Sequence, residues 1–375
     1  GKQGLVCMGL LLVLSSCHTG KQITASGLQR KDFQTEVNGQ HTDLFTLSNK
    51  QGMEVCITNY GARVVSILVP DRNGKREDVV CGFSTITEYM EQRQNFGSTV
   101  GRYIGRILNA RFTLDGVEYK LVPNNGKSGH ISHGGNPGFA DRIWKVEQAD
   151  THRVRLSYLS PDGENGFPGN LKVTLVYSLG EDDNALDLTY EATTDAPTVL
   201  NLSHHSFFNI SGNFTKSVED QQLWVDADRF TPYDDKKCVT GEYLPVAGTP
   251  LDFRMPHAIG ECIDADHPQL KVVNGYDHTW ELNTKGDDTR PAAWVYDPAS
   301  GRKMEIFTTE PGMQIYTGNG LKGKMTGKGG IAYPFPSAVC FETMHFQDSP
   351  NQPGFPSTVL RPGEVFRSHT VYKFE

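Results

Sequence analysis

The sequence predicts an all-β protein, a large antiparallel β-sandwich, and three observations predict it. Apolar residues recur at every second position in several runs, the mark of half-buried strands. The turns between these runs carry Gly, Pro, Asn and Asp, and the chain holds 39 glycines and 20 prolines in 375 residues. No stretch sustains the 3.6-residue period of an amphipathic helix. Strands this regular over this length bury their apolar faces by packing sheet on sheet.

The first 17 residues read as lying outside that fold. "LVCMGLLLVLSSC" follows Lys2 and is too short to span a bilayer comfortably, so it reads as the hydrophobic region of a signal segment. Leu14-Ser15-Ser16-Cys17 resembles a bacterial lipobox, in which the cysteine is lipidated and becomes the mature N-terminus. An ordinary secretory signal with a chance cysteine is the competing account. The lipobox reading predicts an exported lipoprotein of the periplasm or outer membrane, touching the membrane only through an anchor at Cys17. Residues 18–32, small and polar, read as a linker. Residues 33–375 show no composition shift, repeat or low-complexity tract, and read as one domain.

Within that domain, "MEVCITNYGARVVSILVPDRNG" gives two apolar runs, broken at Tyr60-Gly61 and closed by Asp71-Arg72-Asn73-Gly74. "RVRLSYLSPDGENGFPGNLKVTLVYSLGEDDNALDLTYEATTD" gives three strands; Leu171, Val173, Leu175 and Tyr177 alternate in one, and Leu186, Leu188 and Tyr190 in the next. A short helix is placed near Thr87–Gln92.

Composition excludes several functions. The net charge is −8 with no basic stripe, which argues against nucleic-acid binding. Of seven cysteines, Cys7 and Cys17 belong to the leader, leaving Cys56, Cys81, Cys238, Cys262 and Cys340. That number is odd and no CxxC occurs, so neither a zinc cluster nor a dense disulfide framework is expected. One disulfide is compatible with export, and the spacing selects no pair.

Polar groups gather among glycines and aromatics in a few stretches: "GRYIGRILNARF" with Arg102, Arg106 and Arg111; "SGHISHGGNPGFADRIW" with His130, His133 and Trp144; "NLSHHSFFNI"; "NGYDHTW" with Asp277 and His278; and "CFETMHFQDSPNQPGF" with Glu342, His345 and Asp348. Each alone has a plain structural account. Arg106 fits a surface ion pair, His133 a turn, Asp277 a turn cap, and Glu342 an exposed strand edge. His130 and His133 lack a third ligand at a zinc-like spacing, so no metal is assigned. In "NLSHHSFFNI", two neighbouring histidines on a strand point to opposite faces, so His204 and His205 cannot share a role.

Together these stretches, with "DGENGFPGNL" and "PGMQIYTGN", follow one another in an order that resembles the aldose 1-epimerase, or galactose mutarotase, family along nearly the whole mature chain. The resemblance implies a mutarotase-type β-sandwich with an open cleft for a free aldohexose. It implies His205 as catalytic acid and Glu342 as catalytic base, with His204 as a neighbour that supports it or faces away from the site. Arg106, His133 and Asp277 match substrate-binding positions, and Gln314 and Trp144 look like further sugar contacts. Gly105 stands where relatives often carry Asn, so one hydrogen bond to the sugar is absent or supplied elsewhere. No cofactor is required, since anomer exchange moves only protons. Some relatives carry calcium; the acidic turn Glu181-Asp182-Asp183 is a place for one, with plain surface solvation the simpler account. A monomer is implied.

The chemistry asks for Glu342 ionised and His205 protonated, a state that neighbouring carboxylates favour. Phe207 and Phe208 either stack on a sugar or fill the core. A non-catalytic sugar-binding module would not need this acid–base pair. A glycoside hydrolase would use Asp277 and Glu342 but leave the histidines idle. A hexose-6-phosphate epimerase would gather Arg102, Arg106 and Arg111 around phosphate.

Overall fold

The computed structural model describes residues 21–375. Residues 1–20, which include the segment read as a leader and the lipobox-like Leu14–Cys17, lie outside the described residues. Three antiparallel sheets make the body. The largest has nine strands, in the order Lys145–Ala149, Arg153–Ser160, Leu171–Leu179, Ala185–Thr194, Phe366–Phe374, Lys303–Thr308, Ala293–Tyr296, Gln222–Val225 and His257–Ala258. A six-stranded sheet runs Phe207–Phe208, Val339–Met344, Gly312–Tyr316, Asp277–Glu281, Arg229–Thr231 and Leu244–Pro245. A four-stranded meander takes Leu44–Ser48, Glu54–Thr58, Arg63–Pro70 and Arg76–Asp78.

The period-two residues do what their spacing predicts. Leu171, Val173, Leu175 and Tyr177 are fully buried while the residues between them are partly or wholly exposed. Tyr190, Leu188 and Leu186 pair opposite Leu175, Tyr177 and Leu179 and are buried on the same face. These side chains join Leu47 and Ile57 of the meander and Ile315 and Phe341 of the six-stranded sheet in one apolar cluster. Tyr177 Oη donates to Ala62 O at 2.6 Å and Tyr372 Oη to Phe341 O at 2.7 Å, so the large sheet is tied to each of the others. The Asp71–Gly74 segment is a turn in which Asp71 Oδ1 accepts from the Asn73 and Lys75 amides.

Among the described residues there are two helices of α type. Ile86–Gln92 is capped by Thr85, whose hydroxyl accepts from Glu88 N at 3.2 Å. Pro268–Val273 carries Pro in its first turn and was not foreseen; at six residues it is too short to show a period. Among the described residues, no helix is long and apolar enough to cross a membrane.

One expectation needs correction. Of the segment read as a linker, residues 21–32 pack on the meander. Leu28 and Phe33 are buried. The buried carboxylate of Glu54 accepts from the amides of Ala25 and Ser26 at 2.9 and 3.1 Å, and Arg30 forms a two-bond pair with Asp43. Polar composition hid this because the ties run through backbone amides, which every residue carries. The five cysteines outside the leader are all free thiols.

Candidate active site

A cleft of about 430 Å³ opens over the six-stranded sheet, a size suited to a small molecule. Its walls are mostly polar. Arg106, His133, His205, Asp277, Gln314 and Glu342 all line it.

Glu342 lies mid-strand in Val339–Met344, directly opposite Gln314. His205 follows the short strand Ser203–His204. The rule of opposite faces holds. His204 turns into the core between Tyr177 and Tyr372 and bonds Ser206 Oγ, and burial takes its pKa down to about 3. His205 faces the cleft, stacked on Phe207 at 5.0 Å and edge-on to His133 at 5.5 Å. Its Nε2 is 3.2 Å from Glu342 Oε1, and its Nδ1 is buried with no hydrogen-bond partner among the described residues. The same alternation recurs at Asp277 and His278: the aspartate faces the cleft, and the imidazole packs on Tyr233 at 5.0 Å.

Burial pushes Glu342 well above the ordinary carboxylate range, helped by the Asp277 charge. Burial likewise pulls His205 well below the ordinary imidazole range, helped by His133. The protein's own environment therefore favours the uncharged pair. This differs from the expectation of an ionised carboxylate beside a charged imidazole: burial of both groups is the larger cause, and the nearest charges, Asp277 on Glu342 and His133 on His205, act in the same direction. The two forms differ only in the place of one proton across the 3.2 Å contact.

The remaining groups are fixed by specific bonds. His133 sits at φ 51°, and its Nδ1 accepts from Gly105 N at 3.2 Å. Burial and then Arg106 lower its pKa to about 4. The neutral ring therefore carries its proton on Nε2, as a donor. Asp277 Oδ1 accepts from Gln314 Nε2 at 2.7 Å, while burial raises its pKa to about 6. The other end of Gln314 accepts from Thr279 Oγ1. Arg106 has no carboxylate partner among the described residues; its guanidinium donates to Lys237 O at 2.7 Å.

Other residues singled out lie elsewhere. Trp144 is not a cleft residue: its ring packs edge-on to Phe139 at 5.8 Å, and its N–H donates to Phe139 O at 3.2 Å. A large ring whose one polar atom is satisfied internally belongs to the core. Phe208 is core and Phe207 lines the cleft. His345 pairs with Glu310 at 2.8 Å, and Asp348 accepts from Leu108 N and from the Asn351 and Gln352 amides. Arg102 is buried on Ser160, Pro168 and Thr198, so no three-arginine cluster forms at the cleft. In the acidic turn, Glu181 bonds His152 at 2.7 Å. The one grouping of three metal-ligating side chains among the described residues is His205, Cys340 and Glu342, and burial holds the Cys340 thiol protonated.

The structure adds Tyr233, Tyr316 and Gln347 to the walls. Tyr316 was legible, two positions from Gln314 and so on the same face. Gln347 lay in a quoted stretch without a signal of its own, and Tyr233 lay in none.

The floor decides the class. A carboxyl and an imidazole in 3.2 Å contact on the floor of a polar cleft in a β-sandwich are the arrangement of an acid–base enzyme for a small polar molecule. A family model described as aldose 1-epimerase matches residues 43–373. The galactose mutarotase of Sus scrofa is 39% identical over 330 residues, covering 88% of this chain and 93% of that protein. The aldose 1-epimerase of Escherichia coli K12 is 36% identical over 339 residues, covering 90% and 96%. Among solved structures, an aldose epimerase homologue from C. elegans superposes with a TM-score of 0.79 at 30% identity, covering 89% of this chain and 99% of the other. Galactose 1-epimerase from Lactobacillus acidophilus gives 0.79 at 28% identity, covering 91% and 96%. The chain belongs to the aldose 1-epimerase family.

Proposed function

We propose that this protein interconverts the α and β anomers of free aldohexoses such as D-galactose and D-glucose. The carrying observation is the buried His205–Glu342 contact of 3.2 Å on the floor of a polar cleft. Glu342 takes the proton of the C1 hydroxyl while His205 gives one to the ring oxygen, and the C1–O5 bond opens. The aldehyde turns about C1–C2, and the same groups return their protons as the ring closes on the other face.

Ring opening starts from the carboxylate and imidazolium and ends with the acid and neutral imidazole. The end state is the one that burial favours. Burial of the two groups thus favours the protein's side of the open-chain intermediate. Sugar hydroxyls donating to Glu342 stabilise the starting carboxylate. The Nε2–H of His133 and the Arg106 guanidinium are placed to hold sugar oxygens, and Asp277 with Gln314 to bind hydroxyls. Arg102 turns away to Ser160 and leaves Arg106 as the one arginine among the described cleft-lining residues, which favours an unphosphorylated sugar.

Polarimetry on freshly dissolved α-D-galactose tests this. Wild type should speed the approach to equilibrium, and Glu342→Gln should return it to the buffer rate. A wild type inactive on galactose and glucose overturns the proposal.

The lipobox-like Leu14–Cys17 segment supports a second part of the proposal, that the mature enzyme is lipid-anchored on the outer side of the bacterial inner membrane or on the outer membrane. There it would equilibrate sugars freed by extracellular glycan breakdown before uptake. Cell fractionation that places the mature enzyme in the cytoplasm overturns that part alone.

A further inference from the structure

We infer that Gln347 is a specificity-determining positioning residue of the cleft, occupying the volume of a side chain at position 105 and joining the Arg106 wall to the Tyr233–Gln314–Asp277 wall. This inference rests on the aldose reading of the cleft.

Gly105 lies at φ +79°, a conformation that glycine adopts freely and most other residues do not. A Cβ there would lie 2.5 Å from Gln347 Cγ and 3.2 Å from its Cδ. Position 105 has no side chain because residue 347 has taken its place. Gln347 is 7% exposed and lines the cleft.

Its carboxamide is almost fully used. Oε1 accepts from Arg106 N at 3.2 Å. Nε2 donates to Tyr233 Oη at 2.9 Å and approaches Gln314 Oε1 at 3.4 Å. Gln314 in turn gives its shorter bond to Asp277 Oδ1. One amide therefore sets the spacing between two walls that come from distant parts of the chain. A carboxamide oxygen has two lone pairs, and Arg106 uses one. The other is free to accept a sugar hydroxyl, which supplies the contact that a bare Gly105 cannot make.

The test is a set of variants read by aldose kinetics and by galactose binding in a Glu342→Gln background, where turnover is absent. Gln347→Ala and Gln347→Met should raise the galactose KM about tenfold with kcat within about twofold, the loss of one or two hydrogen bonds to substrate and walls. Gly105→Asn alone should collide and lose more than about tenfold in kcat/KM, whereas Gly105→Asn with Gln347→Ala should recover to within about threefold of wild type. Thermal melts verify folding, and Gln347→Met, which keeps the volume, gives the reading if the alanine variant does not fold. Unchanged KM and affinity in the Gln347 variants, or additive losses in the double variant, overturn the inference while galactose turnover by wild type leaves the aldose reading standing. Wild type that neither binds nor equilibrates galactose or glucose sinks both.

Discussion

Glu342 and His205 hold one proton between them, and the cleft floor sets which way it leans. In the proposed mechanism one acts as base and the other as acid, and a well-placed group of either kind is worth about 10²–10⁴ in rate. Glu342→Gln should therefore lower kcat by at least about a hundredfold, read by polarimetry, with galactose affinity largely kept. Asp277 carries a second prediction. Burial raises its pKa from 3.8 to about 6. A buried carboxyl with a raised pKa is destabilised in its ionised form, so the fold bears the cost fully above pH 6 and is free of it below the unfolded value. The shift corresponds to roughly 3 kcal/mol at neutral pH. Asp277→Asn should then raise the melting temperature at pH 7 while weakening galactose binding. Wild-type affinity should fall as pH drops through 6, and the variant should lose that limb. A variant that binds as well as wild type would place Asp277 outside the sugar site.

A strand shows one face to the cleft and the other to the core, and that rule explains both the successes and the failures of reading this sequence. It separated His204 from His205, and in "NGYDHTW" it sends His278 into the core behind Asp277. It fails where a side chain belongs to a loop. Trp144 sits just past the turn Phe139–Asp141, where no period applies, so its place in the core was invisible. Trp144→Ala should cost about 3–5 kcal/mol of stability, the usual loss for a buried aromatic, and leave the galactose KM unchanged; a sugar contact would show the reverse pattern. Tyr233 and Gln347 reach the cleft through contacts 114 residues apart, which no local pattern encodes. The docked segment from Lys21 to Phe33 hangs on Glu54. Glu54→Ala leaves two amides without their acceptor and should cost about 1–3 kcal/mol. Limited proteolysis should then cut ahead of Leu28 in the variant before it cuts wild type.

At the scale of the whole molecule, the response to pH divides between the cleft and the opposite side of the sandwich. His369, on the strand Phe366–Phe374, bonds Asp187 through Nε2 and Asp288 through Nδ1, both at 2.7 Å. Asp187 belongs to the neighbouring strand and Asp288 to the loop before Ala293–Tyr296, so one imidazolium fastens two strands of the nine-stranded sheet to that loop. The hydrogen bond to Asp187 is the main cause of a pKa raised to about 9, with burial opposing it. A histidine whose folded pKa exceeds its unfolded value contributes its full stability below about 6.5 and loses it as pH rises through about 9. These groups are partly exposed and screened by solvent, so the effect is modest. Thermal melts should show wild type losing stability from pH 6.5 to 9, and His369→Gln should flatten that slope. Because the clamp does not line the cleft, the variant should keep the wild-type kcat and KM for galactose at pH 7. The acid limb set by Asp277 should also be unmoved. A shift of that limb in His369→Gln would mean that sheet and cleft titrate as one unit, against the separation of the two sites in the fold.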